Sequence, residues 1–182
     1  DPYIIENNTQ LLNVKNGLDK HYRMKENIKL VFESVTHNGK WEPIGTDVAP
    51  FTGTFDGNGS TVELQFISIE EFGRLTGTNI GMFGVIGSSG SVKNLNVDYI
   101  DCNGNENVGI LAGKNEGRIE NCSVKKVSNE PTTGIYAIKT VGLFVGYNSG
   151  EILNSTSSGK VVLANSSVGG FVGYNSGTIE GC

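Results

Sequence analysis

Val145-Gly-Tyr-Asn-Ser-Gly150 recurs letter for letter at Val172–Gly177, and the repetition extends on both sides of it. Four segments align. Ile80-Gly-Met-Phe-Gly runs on to Ser91-Val-Lys-Asn-Leu-Asn-Val97. Val108-Gly-Ile-Leu-Ala-Gly-Lys-Asn-Glu-Gly-Arg-Ile-Glu-Asn-Cys-Ser-Val124 follows. Then come Val141-Gly-Leu-Phe-Val-Gly-Tyr-Asn-Ser-Gly-Glu-Ile-Leu-Asn-Ser155 and Val168-Gly-Gly-Phe-Val-Gly-Tyr-Asn-Ser-Gly-Thr-Ile-Glu-Gly-Cys182. Their starts lie 28, 33 and 27 residues apart. Each unit holds two short alternating strands around an Asn-x-Gly turn. A unit that small has no core of its own, so its apolar side chains can be buried only by stacking on the next unit.

Strand-turn-strand content at this period predicts an all-β fold, a right-handed parallel β-helix (β-solenoid) with one repeat per coil. Strands of successive coils would lie about 4.8 Å apart. The LxxLxLxxN phrase of a leucine-rich horseshoe is absent, and a propeller blade needs about 40 residues. Stacking then predicts columns. Val92, Ile119, Ile152 and Ile179 form an inward aliphatic ladder, and Phe83, Leu111, Phe144 and Phe171 a second. Leu95, Cys122, Ser155 and Cys182 make a third. Asn115, Asn148 and Asn175 stack at a turn, each amide bonding the next. Asn94, Asn121 and Asn154 form another candidate ladder.

The section before the repeats differs. Residues 1–40 read as an N-terminal cap over the first coil: a strand at Tyr3–Ile5, a short helix through Gln10–Lys15 capped by Asn8 or Thr9 and ended by Gly17, and an extended stretch at Tyr22–Phe32. Residues 41–182 read as the coils, with units at about 80–107, 108–140, 141–167 and a truncated 168–182. Val62, Leu64 and Phe66 alternate and mark the first full coil; residues 70–79 read as a polar loop. The chain begins at Asp1 without an initiator Met or signal peptide and stops inside a unit. It is therefore expected to be a processed product or fragment, with the remaining domains of a longer chain as its neighbours.

Trp41-Glu-Pro-Ile-Gly45, Pro50-Phe-Thr-Gly-Thr-Phe-Asp-Gly-Asn-Gly-Ser-Thr-Val62 and the G-x-N-x-G-x-I-x-N-C units resemble the GLUG-motif repeat family of bacterial and archaeal cell-surface proteins. That family includes adhesin-like proteins and immunoglobulin A metallopeptidase precursors. The resemblance covers roughly residues 41–182. It implies a right-handed β-helix and an extracellular or cell-surface location. The family has no shared catalytic residues to carry over.

The bulk chemistry narrows the function. The net charge is −5 with only 14 Lys and Arg, which argues against nucleic acid as a partner. No apolar run approaches the roughly 18 residues of a membrane span, so direct membrane insertion is not expected. Three cysteines cannot close into a full set of disulfides, and Cys122 and Cys182 sit two coils apart, so three buried free thiols are expected. No cofactor is expected.

Asp56 and Glu63 fit two offsets of a calcium loop, but Thr52 and Thr54 would fill the first ligand positions and the flanks read as strands, which favours a tight turn. Glu120 and Glu180 would stand two coils apart with Leu153 between, too wide for a carboxylate pair. No residue is nominated as catalytic. Tyr147 and Tyr174, one coil apart, are the best binding candidates, with a surface glycan or a host protein as partner. The reading is a non-catalytic structural or adhesive module of a larger secreted or cell-surface protein. The alternatives are a carbohydrate-active β-helix enzyme, such as a polysaccharide lyase or hydrolase, and an accessory domain of a surface metallopeptidase.

Overall fold

The computed structural model describes residues 1–32, 41–68, 70–71, 74–75, 77–129, 133–163 and 166–182. The chain is all-β, built mainly from parallel sheets that do not close into a barrel. Four parallel sheets account for nearly all strands. Sheet I holds Tyr3–Ile5, His21–Met24, Thr54–Asp56, Ser91–Lys93, Arg118–Glu120, Glu151–Leu153 and Thr178–Glu180. Sheet II is laid down by Lys29–Phe32, Thr61–Ser68, Asn96–Gly104 and their successors. Sheet III holds Thr78–Ile80, Glu106–Val108, Val141–Gly142 and Val168–Gly169. Sheet IV holds Phe83–Ile86, Ala112–Asn115, Val145–Asn148 and Val172–Asn175. From residue 78 on, the repeats visit sheets III, IV, I and II in that order, the unit from Val168 reaching sheet I.

Identical spacing puts like on like. In sheet I, Val92 faces Ile119, Ile119 faces Ile152, and Ile152 faces Ile179. The same column runs back through Phe55 and Tyr22 to Tyr3. Its interior members are buried, whereas Tyr3 and Ile179 at the two ends are 61% and 36% exposed because each has a neighbour on one side only. Each fully buried aliphatic side chain contributes about 1.5–3 kcal/mol. The hydrogen bonds that join the coils are the sheet ladders themselves, so backbone polar groups and apolar columns are satisfied by the same stacking.

The second aromatic column departs from the alignment. Ile80 pairs with Val108, but Phe83 pairs with Ala112, not Leu111. Two residues separate the first pair of positions in the early unit and three in the next, so Phe83 moves into the column of Ala112, Val145 and Val172. There it packs on Phe51 and Phe55 at centroid distances of 5.2 and 5.6 Å. Phe144 and Phe171 stay together, stacked at 4.7 Å.

The turns between sheets I and II use a left-handed residue. Asn94, Asn121 and Asn154 have φ of 53°, 52° and 48°, and Gly181 takes the same role with φ 65°. Asparagine tolerates this region better than other residues with a Cβ. The 33-residue spacing of one unit is absorbed in sheet II. There Asn96–Gly104 pairs at one end with Ser123–Lys126 and at the other with Ile135–Ala137, so one long strand faces two short ones.

The N-terminal segment supplies strands to sheets I and II in addition to a helix. The helix runs over Asn8–Leu12, continues as a 3₁₀ turn over Asn13–Asn16, and buries Leu11 and Val14. Its N-cap is Asn7, whose side chain accepts from the Gln10 amide, one residue before the expected cap. Tyr22–Phe32 is two strands joined by a turn at Asn27, φ 58°. The expected boundary at residue 40 adjoins residues 33–40, which lie outside the described set, as does the side chain of Phe66. The expected loop at 70–79 contains an antiparallel pair, Glu70–Glu71 with Arg74–Leu75, and the first strand of sheet III.

Candidate functional site

The Asn-x-Gly turns between sheets IV and I hold an internal amide ladder. Asn115 Nδ2 donates to Asn148 Oδ1 at 2.7 Å, and Asn148 Nδ2 donates to Asn175 Oδ1 at 2.7 Å. Each amide also reaches the carbonyl two residues on, at Gly117, Gly150 and Gly177. Asn115 and Asn148 are fully buried. The earlier unit has Ile86 at this position, so the ladder starts at Asn115. Ile119, Ile152 and Ile179 lie on the strands just beyond these turns, inside sheet I.

A second ladder escapes sequence reading. Asn107 Nδ2 donates to Asn79 Oδ1 at 2.9 Å, and Asn79 Nδ2 donates to Asp47 Oδ2 at 2.6 Å. Both asparagines are left-handed, φ 55° and 52°. The signal in the sequence is Asn before the aliphatic-Gly pair, at Asn79-Ile80-Gly81 and Asn107-Val108-Gly109.

These asparagines stand where sheets III and IV meet. The sheets approach closely because sheet IV has glycine at the contact: a Cβ on Gly146 would lie 2.5 Å from the Asn107 carbonyl carbon and 2.6 Å from the Val108 nitrogen. The outward column of sheet IV is Val85, Lys114, Tyr147 and Tyr174. Tyr147 and Tyr174 stack with centroids 5.0 Å apart and planes 14° apart, and Tyr174 is 49% exposed. Each ring turns one face to the other, so those two faces are closed to a ligand. The turn Gly45–Pro50, with Thr46 and Ala49 exchanging backbone hydrogen bonds, brings Asp47 to one end of this surface. The result is an open polar groove of about 560 Å³ lined by side chains of both sheets, including Tyr147 and Tyr174.

Its charges are mutually engaged. Lys114 Nζ lies 2.8 Å from Glu116 and 3.4 Å from Asp47. The hydrogen bond to Glu116, reinforced by Asp47, raises the lysine above its ordinary range and keeps it charged. Glu106, also on the groove, accepts from Lys139 at 2.7 Å.

Other candidates are not brought together. Asp56 is in sheet I and Glu63 in sheet II. Asp56 Oδ1 accepts from the Asn58 amide at 2.9 Å and from Asn94 Nδ2 at 3.0 Å, which fastens the turn; Glu63 pairs with Lys29 at 2.7 Å. Among the described residues no cluster of three or more His, Cys, Asp or Glu could hold a metal. Glu120 and Glu180 share a column with Leu153 between them, and Arg118 bridges Glu120 and Glu151 at 3.2 and 2.7 Å.

All three cysteines are free, but only Cys102 and Cys122 are buried; Cys182 is exposed. It follows Thr178–Glu180, an edge strand of sheet I. Burial drives the Cys122 thiol up to about 12 and Cys102 well above its ordinary range, which makes both inert at neutral pH.

The class defined by these features is a glycine-rich repeat protein whose units pair strand on strand in parallel register. Residues 139–162 match the family model described as the GLUG motif. The chain is 39% identical over 130 residues to a candidate Gly-rich membrane protein of Evansella cellulosilytica, a match covering 69% of this chain and 14% of that protein. It is 32% identical over 174 residues to the halomucin of Haloquadratum walsbyi, covering 92% of this chain and 2% of that protein. The chain thus spans a small part of the curated relatives it matches. Its fold is similar to the crystal structure of a candidate immunoglobulin A1 protease from Bacteroides ovatus, with TM-score 0.59 at 17% identity, over 98% of this chain and 64% of that one. Residues 139–162 thus carry the GLUG motif, and the chain is similar to glycine-rich and halomucin proteins over most of its length.

Proposed function

We propose that residues 41–182 are a stretch of right-handed parallel β-solenoid serving as a non-catalytic structural or adhesive module of a larger extracellular or cell-surface protein, with residues 1–40 capping its first coil. One observation carries the reading: every motif residue that recurs is engaged in stacking. The isoleucines fill one column, Asn115, Asn148 and Asn175 bond one another, and the glycines allow two sheets to touch. On sheet I, Asp56, Glu120 and Glu151 face cations or fasten a turn, and Glu180 is separated from Glu120 by Leu153, so these four form no acid-base pair. Kinship with a candidate membrane protein supports a place at the cell boundary. Among the described residues no helix is long and apolar enough to cross a membrane.

Two experiments test the reading. Inserting further copies of residues 141–167 after residue 167 should give a longer particle that still unfolds cooperatively, growing by about 4.8 Å per copy in X-ray scattering. Aggregation or an unchanged length would contradict a stacked unit. An antibody to the exposed Val48 turn should label intact producing cells; labelling only after lysis would overturn the surface location.

A further inference from the structure

We propose that the groove between sheets III and IV binds an uncharged, linear polysaccharide lying along the stacking axis, about one sugar per coil. The inference rests on the surface-module reading and names its ligand class. Three observations carry it.

The first is charge. Lys114 is held between Asp47 and Glu116, and Glu106 is held by Lys139. Three carboxylates, Asp47, Glu106 and Glu116, face two lysines, so among these groups no cation is spare for a sulfate, phosphate or uronate. An anionic ligand would have to break one of these pairs against a surplus of negative charge; a neutral one would not.

The second is the set of groups left over. Among the described residues the hydroxyls of Tyr147, Tyr174 and Thr140 have no protein partner, and all three line the groove. Each hydroxyl both donates and accepts, as sugar hydroxyls do. Because the two rings stack on each other, a ligand lying across both meets them through edges and hydroxyls.

The third is period. Tyr147 and Tyr174 stand one strand apart with ring centroids separated by 5.0 Å, and Thr140 follows Asn107 at the equivalent step of sheet III. A β-1,4-linked hexose chain in its extended form advances per sugar by a length comparable to the strand spacing of about 4.8 Å, with successive sugars turned over by half a rotation. Hydroxyls on successive coils would therefore meet successive sugars, through alternate edges. An added peptide strand is a poorer occupant, because the backbone groups of both walls are already bonded within the sheets.

The test is titration calorimetry of the full chain with chitohexaose and cellohexaose, beside alginate and heparin oligosaccharides of similar length. Binding to a neutral oligomer and not to the anionic ones is expected. The Tyr147→Phe/Tyr174→Phe double variant keeps the rings and loses the hydroxyls. It should bind about tenfold more weakly at an unchanged melting temperature. Preference for the anionic chains, no binding to either neutral oligomer, or equal binding by the double variant would overturn the proposal. The surface reading stands or falls separately: neutral-glycan binding by a protein that does not label on intact cells would support the groove and contradict the location.

Discussion

Asn115 and Asn148 are 33 residues apart in sequence, yet the amide of the first donates to the carbonyl of the second at 2.7 Å inside the protein. Asn148 is the middle rung, accepting from Asn115 and donating to Asn175. Asn148→Ala leaves a buried donor on Asn115 without its partner. Such a loss costs about 1–3 kcal/mol. Asn175→Ala should cost less, because that rung is exposed. Urea denaturation of both variants checks the order; an equal effect would show that burial of the ladder does not matter.

The isoleucine column gives a second ranking. Ile119→Ala and Ile152→Ala remove buried side chains with neighbours above and below and should each cost about 2–5 kcal/mol. Ile179→Ala, on the half-covered last strand, should fall well below that range. The comparison is made by chemical denaturation, and the outcome against the account is Ile179 ranking with the other two.

Glycine 146 is required by contact, not by backbone angle. Gly146→Ala puts a methyl into the backbone of Asn107 and Val108 and should destabilise by about 1–3 kcal/mol. Gly170→Ala meets nothing within 4 Å and should stay within about 0.5 kcal/mol of the parent. Thermal unfolding of the pair separates a steric need for glycine from general sequence bias.

Burial sets a pH limit. The Cys122 thiol moves from 9.0 to about 12, and burial also lifts the Tyr99 phenol from 10.0 to about 12. In both, the neutral form is favoured in the folded state, so between these values the native protein holds more protons than the unfolded chain. Stability is then full below about pH 9 and falls as pH rises from 9 towards 12. Denaturation midpoints measured from pH 8 to 11 should decline. Cys122→Ser should flatten the first part of that decline; a flat profile in the parent would contradict the burial. In the native state a thiol reagent should titrate Cys182 promptly and reach Cys102 and Cys122 only on unfolding.

Much of this architecture is legible in the sequence because stacking turns a repeat into a column. Ile119, Ile152 and Ile179 align on paper and in space by one rule, equal spacing. The rule fails where spacing is not equal. Phe83 reads as the partner of Leu111 because both stand two residues after a glycine, but Gly81 and Gly84 are one residue closer than Gly109 and Gly113, and Phe83 takes the place of Ala112. Cys182 aligns with Cys122 yet is exposed, since it follows an edge strand and a column says nothing about edges. The groove is less legible still. Asp47 comes from a turn outside the repeats, while Thr140 and Tyr147 come from different sheets, and no window of sequence shows them converging. The stacking of Tyr147 on Tyr174 follows from the repeat; that one face of each ring is thereby closed follows only from the geometry.

The central claim is that equivalent residues of successive repeats stand one strand spacing apart along a single axis. His21, Thr54, Ser91, Arg118, Glu151 and Thr178 form one outward column of sheet I. Spin labels placed through cysteine at His21 and at one further member, in a Cys182→Ser background where the buried thiols do not react, measure that axis by pulsed electron resonance. The account predicts distances that increase step by step along the column, reaching about 24 Å at Thr178, five strand spacings away. Distances that do not grow with repeat number would contradict it.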